Sequence, residues 1–197
     1  MNMTELDQIK KGLRKELKQK RNALTADYRD QASQEIVDRI MDHEAYRKAK
    51  LIFSFYPMAT EIQVDRLFDQ AEAAGKQLCF PVTFKQGRME AYIPRDRVHM
   101  DLDPYGFPTP NPQLDQLVDP AAIDLALVPL LGFDPDLYRI GYGGGFYDRY
   151  IARMPDQVVR MGVAYAVQEL DYIPRNAYDQ KLDLVITERA IFTAQSD

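Results

Sequence analysis

From Glu5 to Lys20 the apolar residues Leu6, Ile9, Leu13 and Leu17 return at steps of three and four, which predicts an amphipathic helix whose other faces are basic. Thr25 is placed to cap a second helix, in which Tyr28, Ala32, Ile36 and Ile40 lie four apart with Val37 and Met41 beside them. Residues 51–56 form a nearly continuous apolar run stopped by Pro57, the pattern of a strand buried on both faces. A helix over about 63–74 ends at Gly75, and Leu78-Cys79-Phe80 returns as a strand. Strand–helix–strand units of this kind are parallel and right-handed in nearly all cases.

Residues 89–93 read as an exposed strand, and residues 103–112, with four of the twelve prolines, as an extended, stiff loop. Apolar runs at 124–128, 158–164 and 184–187 add three buried strands, so strands and helices alternate around a mostly parallel sheet in one α/β domain spanning 1–197. Ligands of such sheets bind beyond the carboxyl ends of the strands. The loops after Tyr56 and Leu131 are therefore where chemistry is to be sought.

The 197 residues, 46% of them hydrophobic, suffice for one sizeable core. A net charge of −5 and a mean hydropathy of −0.41 disfavour non-specific nucleic-acid or anionic-membrane partners, so a basic site has to be local. The single cysteine, Cys79, lies in an apolar stretch and reads as a buried, inert thiol. The polar stretch 1–8 and the lack of any apolar run near ~18 residues predict neither a signal peptide nor a membrane span. A reducing cytoplasm is the expectation. His43 and His99 have no partner at metal-ligand or nucleophile spacing and receive no role. Between Lys10 and Arg21, seven basic residues accompany one acid, Glu16, and Lys10 and Arg14 share a helical face. Such a run is either a solvated surface or a phosphate contact.

The most informative stretch is 132–149, which holds four of the ten glycines within positions 141–145. Residues without Cβ atoms let backbone N–H groups converge on one anion, and a helix starting near Phe146 would add its positive end. A flexible turn is the plain alternative. Arg139 before the cluster and Asp148 after it add an anion clamp and a metal carboxylate. The spacing fits neither a P-loop nor a Rossmann fingerprint, since Gly-Lys-Ser/Thr is missing and Phe146 stands where a third glycine belongs. It does resemble the signature of the 5-formyltetrahydrofolate cyclo-ligases, F-D-x-x-G-x-R-x-G-x-G-x-G-x-Y-D. From Phe133 to Asp148 one fixed position departs: Leu137 replaces glycine, and leucine tolerates positive φ poorly. Gly144 stands where many members of that family carry lysine.

The resemblance extends along the chain in order. Lys10-Lys11-Gly12-Leu13-Arg14 is similar to the family's N-terminal ATP-binding element, which implies phosphate contacts for Lys10 and Arg14; Lys11, Lys15, Lys18, Lys20 and Arg21 remain a solvated face. Residues 55–62 resemble the substrate-binding segment. There Glu61 would accept the adjacent N–H donors of a pterin, with Tyr56 as an aromatic wall, although an acid at Glu61 could equally open the next helix. Residues 178–188 resemble the last motif, whose metal-linked aspartate falls on Asp183, a position that also suits a turn.

What the resemblance implies is a three-layered open α/β sandwich that binds ATP through Lys10 to Arg14 and through Arg139, Ile140, Gly141, Tyr142, Gly143, Gly144, Gly145, Phe146 and Tyr147. The substrate, 5-formyltetrahydrofolate, would meet Tyr56, Glu61 and the loop from Tyr142 to Phe146, and Mg²⁺ would lie between Asp148 and Asp183. Neither nucleic acid nor membrane is an expected partner, and a monomer is. Two other readings of the residues are a phosphosugar isomerase or transferase, and an RNA-binding module stacking bases on Tyr142, Phe146 and Tyr147.

Overall fold

The computed structural model describes residues 3–104 and 106–194, so Met1 and Asn2 of the polar N-terminal stretch and Tyr105 of the proline-rich loop lie outside the described residues. In chain order come α1 (Met3–Asn22), α2 (Ala26–Asp42), α3 (Glu44–Lys48), β1 (Leu51–Phe53), a 3-10 turn over Val64–Leu67 that runs into α4 (Phe68–Ala73), β2 (Gln77–Thr83) and β3 (Met89–Ile93). A short pair, β4 (Asp101–Leu102) and β5 (Pro108–Thr109), precedes β6 (Gln116–Val118) and β7 (Leu125–Pro129). Then follow a second short pair, β8 (Gly132–Phe133) and β9 (Arg139–Ile140), α5 (Phe146–Ile151), β10 (Val159–Val163), β11 (Leu184–Ile186) and β12 (Ile191–Thr193).

Eight of these strands make one sheet in the order β12-β11-β10-β7-β1-β2-β3-β6. The five from β11 to β2 are mutually parallel, and they are the five read from the apolar runs. Strands β12, β3 and β6 extend the two edges antiparallel. The parallel strands are buried on both faces because each face is covered by helix. Ile52, Leu125, Leu127, Met161 and Val163 pack under α2 and α4, whereas Phe53, Ala126, Val128 and Val185 pack with Tyr150 and Ile151 of α5. Each large aliphatic or phenylalanine side chain so buried contributes about 1.5–3 kcal/mol before the entropy of ordering it is counted. Thr25 caps α2 as its position predicts, its Oγ1 accepting the N–H of Tyr28 at 3.2 Å.

One strand differs from the reading. β3 is not exposed: Met89, Ala91 and Tyr92 are buried, because β3 lies between β2 and β6 and contacts α5. Among the described residues no helix is long and apolar enough to cross a membrane.

Candidate active site

Beyond the end of β7 lies a cleft of about 640 Å³, bounded by α1, the end of β2 and the start of β3, the glycine loop, α5 and residues 176–180. The loop leaves β9 and turns through Gly143 (φ 103°) and Gly145 (φ 64°), a region costly to side chains. Gly145 ends the loop as the N-cap of α5 with no side chain capping the helix. Two arginines hold the loop by its carbonyls. Arg14 Nε donates to Gly141 O at 2.9 Å, and Arg149 donates to Gly144 O at 2.6 Å and to Gly87 O at 2.9 Å. A Cβ at Gly143 would stand 3.3 Å from the Arg14 guanidinium, so glycine here lets a cation reach the loop.

Lys10 is buried and paired with Asp179, whose carboxylate also accepts the N–H of Asn176 at 2.7 Å. Lys10 and Arg14 line the cleft; Lys11, Gly12 and Leu13 do not. The reason lies in α1. Its buried stripe is Leu6, Lys10, Leu17 and Arg21, with Leu13 partly covered, whereas Ile9 points outward and is 43% exposed. Two cations thus share the apolar face. Arg21, read from the sequence as solvated, is 4% exposed; its place four residues beyond Leu17 was the available signal.

Arg139 sits beneath the loop and its side chain is 2% exposed. It donates to Asp148 Oδ1 at 3.0 Å and to Gln180 O at 3.1 Å, so it holds two walls of the cleft together. Burial pushes its pKa below the ordinary range while Asp148 pulls it back up, and a guanidinium so paired stays charged. Tyr147 packs its ring 6.0 Å from that of Phe53, and Phe146 lies under the Arg149 guanidinium at 5.7 Å.

Glu61 is 7% exposed. Its Oε2 accepts the N–H of Met58 at 2.8 Å, its Oε1 accepts the Tyr142 hydroxyl, and Arg21 Nη1 stands 3.6 Å away. It does not start a helix: the following 3-10 turn is capped at Gln63, and the carboxylate closes a turn on Met58. Tyr56 differs from expectation. Rather than walling the cleft, it packs between Phe68 and Phe80 at 5.3 and 5.1 Å, with burial raising its pKa and Arg97 beside its hydroxyl.

Asp183 also goes elsewhere. It precedes β11, exposed, with Oδ2 accepting the N–H of Arg160 at 2.7 Å. Asp148 Oδ1 instead accepts from Arg139 and from the N–H of Gln180 at 3.2 Å. Because β11, β10 and β7 are parallel, a residue preceding β11 lies where strands begin, while the cleft opens where β7 ends at Pro129. Asp183 is absent from the residues lining the cleft; Asp179, unremarked in the sequence, is among them. No group of three or more potential metal-ligating side chains occurs among the described residues.

A parallel sheet with a glycine-rich, arginine-held loop beyond its strand ends is an arrangement in which α/β enzymes bind phosphate groups. The chain belongs to the 5-formyltetrahydrofolate cyclo-ligase family, whose profile matches residues 7–188. It is 29% identical to the 5-formyltetrahydrofolate cyclo-ligase of Mus musculus over 93% of this chain and 95% of that one. In structure it is similar to the 5,10-methenyltetrahydrofolate synthetase of Aquifex aeolicus, with a TM-score of 0.83 and 26% identity over 96% and 94% of the two chains. The corresponding synthetase of Mycoplasma pneumoniae aligns with a TM-score of 0.73 and 27% identity over 91% and 98%. A phosphosugar enzyme and an RNA-binding module are set aside by this membership.

Proposed function

We propose that the cleft joins ATP and 5-formyltetrahydrofolate and converts them to 5,10-methenyltetrahydrofolate, ADP and phosphate. Family membership supports the reaction, and one observation supports its placement: Tyr142 belongs to the glycine loop, and its hydroxyl reaches Glu61. A phosphate-binding backbone and a pterin-binding carboxylate are then a single side chain apart, as transfer of a phosphoryl group to a pterin substituent requires.

The chemistry explains the need for ATP. A formamide carbonyl is a weak electrophile because its nitrogen lone pair is delocalised into it, and its oxygen is a poor leaving group. The formyl oxygen attacks the γ-phosphorus, ADP departs, and the carbon becomes iminium-like. The side-arm nitrogen then attacks that carbon and loses its proton, and phosphate leaves with the former formyl oxygen as the ring closes. The protein's part is alignment and charge neutralisation. Lys10 and Arg14 meet the phosphates with the loop N–H groups, Arg139 holds Asp148 in place, and Glu61 accepts the pterin's paired N–H donors.

Asp148 would hold Mg²⁺, an ion that keeps several waters and takes one or two protein ligands, and the ion would supply further neutralisation of the phosphates. Asp183 has no part in it. The acidic balance and the single buried thiol suit a monomer in a reducing cytoplasm. The test is an absorbance assay for the methenyl product. Product should form from 5-formyltetrahydrofolate only when ATP is present, and the 10-formyl isomer should show no ATP-requiring turnover. Equal turnover without nucleotide overturns the proposal.

A further inference from the structure

The chemistry above leaves Arg21 without a task. It is a buried cation on α1, and its Nη1 donates to the Tyr142 hydroxyl at 2.8 Å and stands 3.6 Å from Glu61 Oε1. Its Nε has no hydrogen-bond partner among the described residues, and the side chain borders a cavity of about 10 Å³ shared with Glu61 and Gln168. A buried guanidinium with one donor unmade is a poor source of stability, since apolar residues of similar volume often do as well. Its presence therefore asks for a functional reason.

The donors around Glu61 supply one. A carboxylate has about four lone-pair sites. Met58 N–H takes one on Oε2 and the Tyr142 hydroxyl one on Oε1, which fixes the plane of the group and leaves about two lone-pair sites unfilled. Two cations lie over the Tyr142 ring, Lys18 Nζ at 5.4 Å and Arg21 Cζ at 5.8 Å from its centroid. Burial and the neighbouring Glu61 raise the pKa of its phenol, so at neutral pH the hydroxyl remains a donor.

We propose that Arg21 is a positioning residue for pterin recognition: through the Tyr142 hydroxyl, and with its own charge, it holds the Glu61 carboxylate in one orientation and supplies its counter-charge once substrate excludes water. This rests on the reading of Glu61 as the pterin acceptor. The relay also runs through the glycine loop, yet it touches the loop at a side chain rather than at the N–H groups that face phosphate. Folate recognition should therefore depend on it more than ATP binding does.

Steady-state kinetics of the full chain test this. Arg21→Met should raise KM for 5-formyltetrahydrofolate about 10- to 100-fold, the scale of a lost charged hydrogen bond, and Tyr142→Phe about 3- to 10-fold. KM for ATP should stay within about twofold, because no donor to phosphate is removed. Arg21→Lys, which keeps the charge, should recover part of the loss. In a Glu61→Gln background, Tyr142→Phe should add less than about twofold, since both act through one carboxylate. Should Arg21→Met fail to fold, Arg21→Lys and Tyr142→Phe carry the test.

Wild-type folate KM in Tyr142→Phe and Arg21→Lys, with only a lower Tm, overturns the proposal, as does an equal rise in KM for both substrates. A lower folate KM in Tyr142→Phe overturns it too, because the phenol would then be a competitor of the pterin. If Glu61→Gln itself leaves folate KM unchanged, the pterin reading falls and takes this one with it. If Glu61→Gln raises that KM and the Arg21 and Tyr142 variants do not, only the role of Arg21 falls.

Discussion

At the residue scale, Leu137 shows two physical terms in opposition. Its φ is 66°, a left-handed conformation that costs an L-residue with a Cβ about 1–2 kcal/mol, and its side chain is fully buried beside Phe133 and Leu182. Burial wins, because deleting a core leucine side chain costs about 2–5 kcal/mol. The turn itself closes normally, with Leu137 N–H donating to Asp134 O at 2.8 Å. Leu137→Gly should therefore destabilise the protein, by about 1–4 kcal/mol in a urea titration, even though it restores the family's residue and relieves the backbone. Leu137→Ala should be less stable still, keeping the strain and losing the same packing. A glycine variant more stable than wild type would mean that the left-handed turn, rather than the packing, dominates.

Elements decide which charged residues meet. α1 carries Lys10 and Arg21 on its buried stripe with Leu6 and Leu17, and Leu17 packs against Leu131, Ile140 and Ile173, which brings the basic face to the loop after β7. Asp148 lies in the first turn of α5 at the cleft, whereas Asp183 precedes β11 and serves the backbone of Arg160. Their substitutions should part accordingly. Asp148→Asn should lower turnover and raise the Mg²⁺ concentration for half-maximal rate, and Asp183→Asn should leave that concentration unchanged. The latter should lose about 1–2 kcal/mol of stability with the ionised acceptor of the Arg160 N–H. A Mg²⁺ requirement raised equally in both variants would restore Asp183 to the metal site and refute this placement.

On the scale of the whole molecule, the two-faced parallel sheet seals Cys79 in β2 from solvent. Burial raises the pKa of its thiol, so at neutral pH it is protonated and lacks the thiolate that alkylating reagents attack. Maleimide labelling should consequently proceed only through unfolding. Its rate across a urea series should follow the global unfolding equilibrium and should fall when ATP is added, because a ligand bound to the native state lowers the unfolded fraction. Rapid stoichiometric labelling in the absence of denaturant would show that β2 opens locally, and that the sheet is not one cooperative unit.

What the sequence determined by itself was the part of the molecule set by local pattern. Runs of apolar residues between turn residues marked the five parallel strands, Thr25 marked a cap, and four glycines between Arg139 and Asp148 marked a tightly turning loop, because backbone conformation and burial along one element depend on near neighbours. Tertiary structure alone decided which distant side chains meet. Lys10 finds Asp179, which lies 169 positions away, Tyr142 finds Glu61 81 positions away, and Arg21 turns inward. Tyr56 joins an aromatic cluster, β3 is covered by its neighbours, and Asp183 falls where the parallel strands begin, at the end away from the cleft. The step of four from Leu17 puts Arg21 on the apolar face, but local sequence does not say whether a basic residue there reaches water or a buried carboxylate. The difference lies in the desolvation and pairing of the charge, and those are fixed by partners that only the folded chain brings within reach.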